Sequence, residues 1–179
     1  MDFAEVAVRM WPLWLLGLFM VFAAWKTDNK DLIRIEKKPL MKFAKFLVFL
    51  TIYRLIVFHF LAHYPMVENA SAAVQSIPWQ MTFLVFWEDM SFALPLVFLK
   101  KLIGSKKWLQ PIYWLGMATM MLSFGSGHIY QGLLPALALS LYVPFSVSRG
   151  KMYGFGTVVL CHMPYDMSTI LAVRLALGL

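Results

Sequence analysis

The chain has 179 residues, 61% of them hydrophobic and 14% charged, with a mean hydropathy of +0.70, where a soluble domain has about 45–50% apolar and about 25% charged residues. That balance excludes an ordinary water-soluble domain and predicts an integral membrane protein. The net charge of +7 does not point to nucleic acid, because the bases are gathered in short segments between apolar runs, as loops on the positive side of a bilayer are.

Crossing a bilayer takes about 20 predominantly apolar residues, with a range of roughly 17–25. Six runs come close, so the expected fold is all-α, a polytopic bundle of about six transmembrane helices. The first run, Val6 to Trp25, has tryptophans suited to interfaces and no convincing cleavage site after it, and is read as an anchor rather than a signal peptide. The second is expected from Phe43 to His63, the third from Trp79 to Leu99 and the fourth from Trp108 to His128. The fifth, Leu133 to Val147, is short and holds Pro135 and Pro144; the sixth runs from Met152 to Leu175. Between them, Lys26–Lys45 carries seven Lys or Arg, Lys100–Lys107 four and Arg149–Lys151 two, whereas Tyr64–Pro78 has one acid and no base. The positive-inside rule then places the three basic loops in the cytoplasm and both termini outside. No repeat or linker divides the chain, so residues 1–179 are read as one integral-membrane domain, with a catalytic core over about 79–175.

A charged side chain at the bilayer centre costs at least about 2.5–3.5 kcal/mol, which makes each one a candidate for function. The candidates are Arg54 in the second run, Glu88 and Asp89 in the third, His128 at the end of the fourth, and His162 and Asp166 in the sixth. At 1.5 Å per residue, Glu88 lies roughly 13 Å below the outer end of its run and His162 roughly 15 Å above the inner end of its own. His128 arrives from the outer end, so the three are expected to meet in the outer half of the bundle. His162 and Asp166 are four residues apart and share a helix face. Carboxylates beside imidazoles can take a proton from water and stabilise the oxyanion formed on an attacked carbonyl.

The segment FGSGHIYQG, Phe124 to Gly132, resembles the FxxxH motif of the CAAX-protease and bacteriocin-processing (CPBP) family of glutamic intramembrane proteases. His162 to Asp166, HMPYD, resembles the HxxxN or HxxxD motif of that family, and Glu88 to Ala93, EDMSFA, falls in order for its EExxxR motif. Only Glu88 matches there: Asp89 replaces the second glutamate and Ala93 stands where the family has arginine. The resemblance covers Glu88 to Asp166. It implies an intramembrane endopeptidase in which Glu88 and His128 activate the water and His162 and Asp166 form the oxyanion site, with no metal or other cofactor. Asp89 would support Glu88, the glycines beside His128 would let its helix approach that of the glutamate, and Arg54 would supply the missing positive charge. The implied partner is a membrane-anchored protein or peptide substrate within the lipid bilayer, and the implied location is the inner membrane of a bacterial or archaeal cell, with the site toward the extracytoplasmic half.

Two other function classes suit the same residues. Glu88, His128, His162 and Asp166 could hold a divalent ion as a metal-dependent hydrolase does, or the chain could be a non-catalytic scaffold or immunity protein of the same fold. His59 and His63 are four apart, but no glutamate follows His59 as in HExxH, and they read as interface residues. Asn69–Ser71 matches a glycosylation sequon of little weight, and Cys161, the single cysteine, can form no internal disulfide.

Overall fold

The computed structural model describes residues 3–61, 85–129 and 132–177, which are mainly helical and contain no strand. The fold is all-α. Helix α1 is Phe3–Lys26 and α2 is Lys37–Leu61, with a short 3-10 turn, Lys30–Ile33, in the connection. Helix α3 covers residues 85–103 and contains a π-turn, Asp89–Ala93, before its last segment, Leu94–Ile103. Helix α4 is Gln110–Gly127, α5 Leu133–Ser140, α6 Tyr142–Tyr153 and α7 Phe155–Leu177. Among the described residues no helix is long and apolar enough to cross a membrane.

The fifth expected span is two helices. A residue-by-residue rise of 1.5 Å makes α5 about 12 Å long and α6 about 18 Å, both short of a hydrocarbon layer of about 30 Å. The chain turns at Leu141 between them, and α5 begins after Gly132, whose φ of +106° suits only glycine well. Met152, expected to open the last run, instead belongs to α6; the break falls at Gly154, with φ +85°. A Cβ at Gly154 would also lie 2.3 Å from the Arg34 carbonyl oxygen, so this glycine serves both the turn and the close approach of the α1–α2 connection.

That approach gathers the basic loops at one end. Arg34 donates through Nη2 to the Met152 carbonyl at 2.7 Å, Lys101 reaches the Asn29 side chain, and the Glu36 N–H donates to Thr157 Oγ1 at 2.7 Å. Helices α2 and α7 both start there and pack along each other. The core around α3 is apolar, with Met20, Leu94, Leu96, Val97, Met117, Val143, Phe155 and Val159 buried. Trp14 of α1 stacks on Trp87 of α3 with centroids 6.0 Å apart, and a Cβ at Gly17 would meet the Trp87 ring at 2.7 Å. The outward faces are apolar too: Phe19 is 64% exposed, Phe49 68%, Leu115 69%, Leu122 69% and Leu134 79%.

Candidate functional site

The π-turn sets the first side of the site. Pro95 has no N–H for the Ser91 carbonyl four residues earlier and its ring crowds that carbonyl, so the ladder widens locally and the Leu94 N–H reaches back five residues to the Asp89 carbonyl. The turn leaves Asp89 fully buried, its side chain 0% exposed, facing α6 and α7. A buried carboxylate needs partners for both oxygens, and it has them. Tyr142 Oη donates to Asp89 Oδ1 at 2.9 Å and Ser146 Oγ donates to the same oxygen at 2.7 Å. Oδ2 lies 3.1 Å from His162 Nδ1.

These contacts fix the hydrogens. The one hydroxyl proton of Tyr142 is given to Asp89, so the 2.9 Å approach of Tyr142 Oη to His162 Nδ1 requires the ring nitrogen to donate, shared between the phenol oxygen and Asp89 Oδ2. His162 Nδ1 therefore carries hydrogen, and its Nε2 is the nitrogen left for chemistry. Nε2 lies 3.5 Å from Asp166 Oδ2, one turn along α7. The Tyr142 ring packs on the imidazole at a centroid distance of 4.4 Å, which limits ring rotation. Glu88, beside Asp89 on α3, forms no hydrogen bond among the described residues; its electrostatic neighbours are His162, Asp166 and Asp89.

The structure thus brings together Glu88, Asp89, His162 and Asp166, residues 78 positions apart at the extremes that were singled out in the sequence. Asp89, expected to support Glu88, is the side chain that orients His162. His128 stands apart from this group. It follows the last residue of α4, its Nδ1 lies 2.9 Å from the Phe124 carbonyl, and its ring packs on Phe124 at 4.7 Å. Phe124 in turn stacks on Tyr142 at 5.6 Å, so two aromatic rings, Phe124 and Tyr142, lie between the two imidazoles. The glycines beside His128 act differently from expectation. A Cβ at Gly125 would lie 2.9 Å from the Ala136 carbonyl oxygen, so the close approach is to α5, while Gly127 faces open space. The side chains of Arg54 and His59, and residues 62–84 with His63 and the Asn69–Ser71 sequon, lie outside the described residues.

Tyr142 and Ser146 are the members that the sequence reading missed. Their signal was two hydroxyls four residues apart, on one face of an otherwise apolar run. Among the described residues no three His, Cys, Asp or Glu side chains converge in a geometry that could hold a metal ion. The site and fold define an all-α protein with a buried carboxylate–imidazole centre. Comparisons with protein-family models, with curated proteins and with solved structures find no match.

Proposed function

We propose that the chain is a membrane-embedded endopeptidase of the glutamic type, using Glu88 and His162 on the two sides of a bound water and carbonyl. The observation that carries this reading is the Asp89–His162 pair, with Nδ1 held by a buried carboxylate, Nε2 3.5 Å from Asp166 Oδ2, and Glu88 an electrostatic neighbour of the ring. An imidazole oriented at one nitrogen presents the other in a fixed direction. Glu88, free of hydrogen bonds from described residues, is the carboxylate able to take the water's proton. The hydroxide so formed adds to the carbonyl carbon, the carbonyl electrons move to oxygen, and His162, doubly protonated with its Nδ1–H held by Asp89, donates its Nε2–H to that oxyanion. Collapse of the adduct expels the amine, which leaves with the proton held by Glu88. Asp166 steadies the Nε2 side. The motif role of His128, activating the water with Glu88, has no step in this scheme because its ring packs on Phe124; unchanged cleavage by His128→Ala is the expected result.

The membrane setting is supported by composition and surface. Between Val6 and Trp25 Arg9 is the one charged residue, and the large apolar side chains exposed on α1, α2 and α4 make faces that water disfavours and lipid tails accept. Six runs ordered around three basic loops at one end keep those loops cytoplasmic, in the inner membrane of a bacterial or archaeal cell. At 1.5 Å per residue the centre lies about 10 Å from the basic end along α7 and about 22 Å along α3, near mid-depth, where a membrane-anchored peptide would reach it.

The decisive experiment incubates the purified chain with membrane-anchored peptide substrates, with and without a strong chelator. Chelator-insensitive cleavage that Glu88→Gln lowers by roughly 10²–10⁴ is expected. Equal cleavage by Glu88→Gln and the unaltered chain would remove Glu88 from the mechanism. Chelator-sensitive cleavage would move the assignment to a metal hydrolase.

A further inference from the structure

At the basic end, α4 and α6 diverge around a groove of about 580 Å³, within the roughly 300–1,000 Å³ of small-molecule sites. Its walls are mostly apolar: Trp114 and Met117 from α4, and Pro144, Val147 and Met152 from α6. Its mouth is cationic. Lys151 lines it, with Nζ 5.9 Å from the centre of the Tyr113 ring, and Lys100 Nζ lies 4.9 Å from the same ring. Lys100 also bonds the Gln110 side chain. Neither lysine forms an ion pair among the described residues. Burial and the repulsion of Lys100 hold the Lys151 ammonium below its usual value.

Two like charges near one buried ring, with no ion-paired carboxylate among the described residues, make a place where an anion gains from both. The groove adds a direction: from Tyr113 to Met117, and from Lys151 back to Val147, the walls run about 6 Å away from the basic end. A ligand complementary to this arrangement has its anionic group at the loops and an apolar chain pointing into the bundle. We propose that this groove is a binding site for one anionic phospholipid, its phosphate between Lys100 and Lys151 and an acyl chain along Met117, Pro144 and Val147. Charge complementarity selects this occupant over a zwitterionic lipid, and the apolar walls select it over free phosphate. The proposal rests on the membrane setting of the chain and is independent of peptide hydrolysis.

The test is native mass spectrometry of the detergent-purified full chain, supplied in turn with phosphatidylglycerol, phosphatidylcholine and inorganic phosphate. One phosphatidylglycerol is expected to be retained about tenfold better than phosphatidylcholine. Lys100→Gln with Lys151→Gln should reduce that preference to within about twofold, whereas Lys106→Gln with Lys107→Gln, away from the groove, should keep it. Val147→Trp, which fills the groove and leaves both lysines, should lower retention of phosphatidylglycerol. Equal preference in the unaltered chain and the Lys100/Lys151 variant would overturn the site, as would equal loss in the Lys106/Lys107 control. Displacement of the lipid by equimolar inorganic phosphate, unaffected by Val147→Trp, would overturn the acyl part. Resistance of the reconstituted chain to alkaline extraction from phosphatidylcholine vesicles reads the membrane setting separately, so failure of that setting is distinguished from failure of the groove.

Discussion

Asp89 and Glu88 are neighbours in sequence with opposite surroundings, and their substitutions should separate folding from chemistry. Asp89 accepts from Tyr142 and Ser146 and faces the His162 ring. Asp89→Asn keeps the size but puts an amide where an acceptor is required, leaving a buried partner of the ring uncompensated, and should destabilise the chain by about 3 kcal/mol in denaturant unfolding. Glu88 is surrounded by Asp89 and Asp166 as well as His162. Glu88→Gln should change stability by less than about 1 kcal/mol while lowering the proposed cleavage by roughly 10²–10⁴. A large loss of stability in Glu88→Gln would make it a structural carboxylate. Lys151 gives a pH signature. Its value is lowered in the fold by burial first and Lys100 second, so the unfolded chain holds its proton more tightly. The cost is fully present at neutral pH and is relieved as pH rises from the depressed value toward the ordinary lysine range. In detergent free of anionic lipid, Lys151→Met should therefore be more stable than the unaltered chain near pH 7, with the difference shrinking in alkali. A difference independent of pH would assign the effect to packing.

At the scale of elements, the approach of α4 to α5 is set by Gly125. A methyl group there would meet the Ala136 carbonyl oxygen, which is backbone and cannot swing aside. Gly125→Ala should cost about 1–3 kcal/mol, whereas Gly127→Ala, facing open space at the end of α4, should stay within about 1 kcal/mol. The comparison is made by thermal unfolding of the two variants, and equal behaviour would show that α5 is free to move away. The π-turn in α3 has a related logic. Widening the ladder by one residue turns Asp89 toward α6 and α7, and Pro95 is the residue in the sequence that makes the widened form competitive.

For the whole molecule, the gathering of the three basic loops is the feature with the broadest consequence. Arg34 on Met152, Lys101 on Asn29 and Glu36 on Thr157 tie the α1–α2 connection to the α3–α4 and α6–α7 connections. On the proposed membrane setting, in a cysteine-free background made by Cys161→Ser, single cysteines at Lys38, Lys106 and Arg149 should all be labelled from one side of the membrane, the cytoplasmic side of the proposal. Labelling of the first from outside would reverse the orientation.

The pattern of apolar runs was enough to predict an all-helical chain and the order of its elements, because helix formation in such runs follows from local hydropathy and from glycine and proline breaks. It also marked Glu88, Asp89, His162 and Asp166, since charge inside apolar sequence is costly wherever it falls. Sequence could not assign their roles. Which carboxylate orients His162 depends on a π-turn that shifts Asp89 around its helix, and on α6 bringing Tyr142 and Ser146 to it across more than 50 residues. The same holds for His128, which the sequence reading set beside Glu88 and which packs on Phe124, itself stacked on Tyr142. Periodicity registers the face a residue occupies on its own helix; packing between helices decides what that face meets.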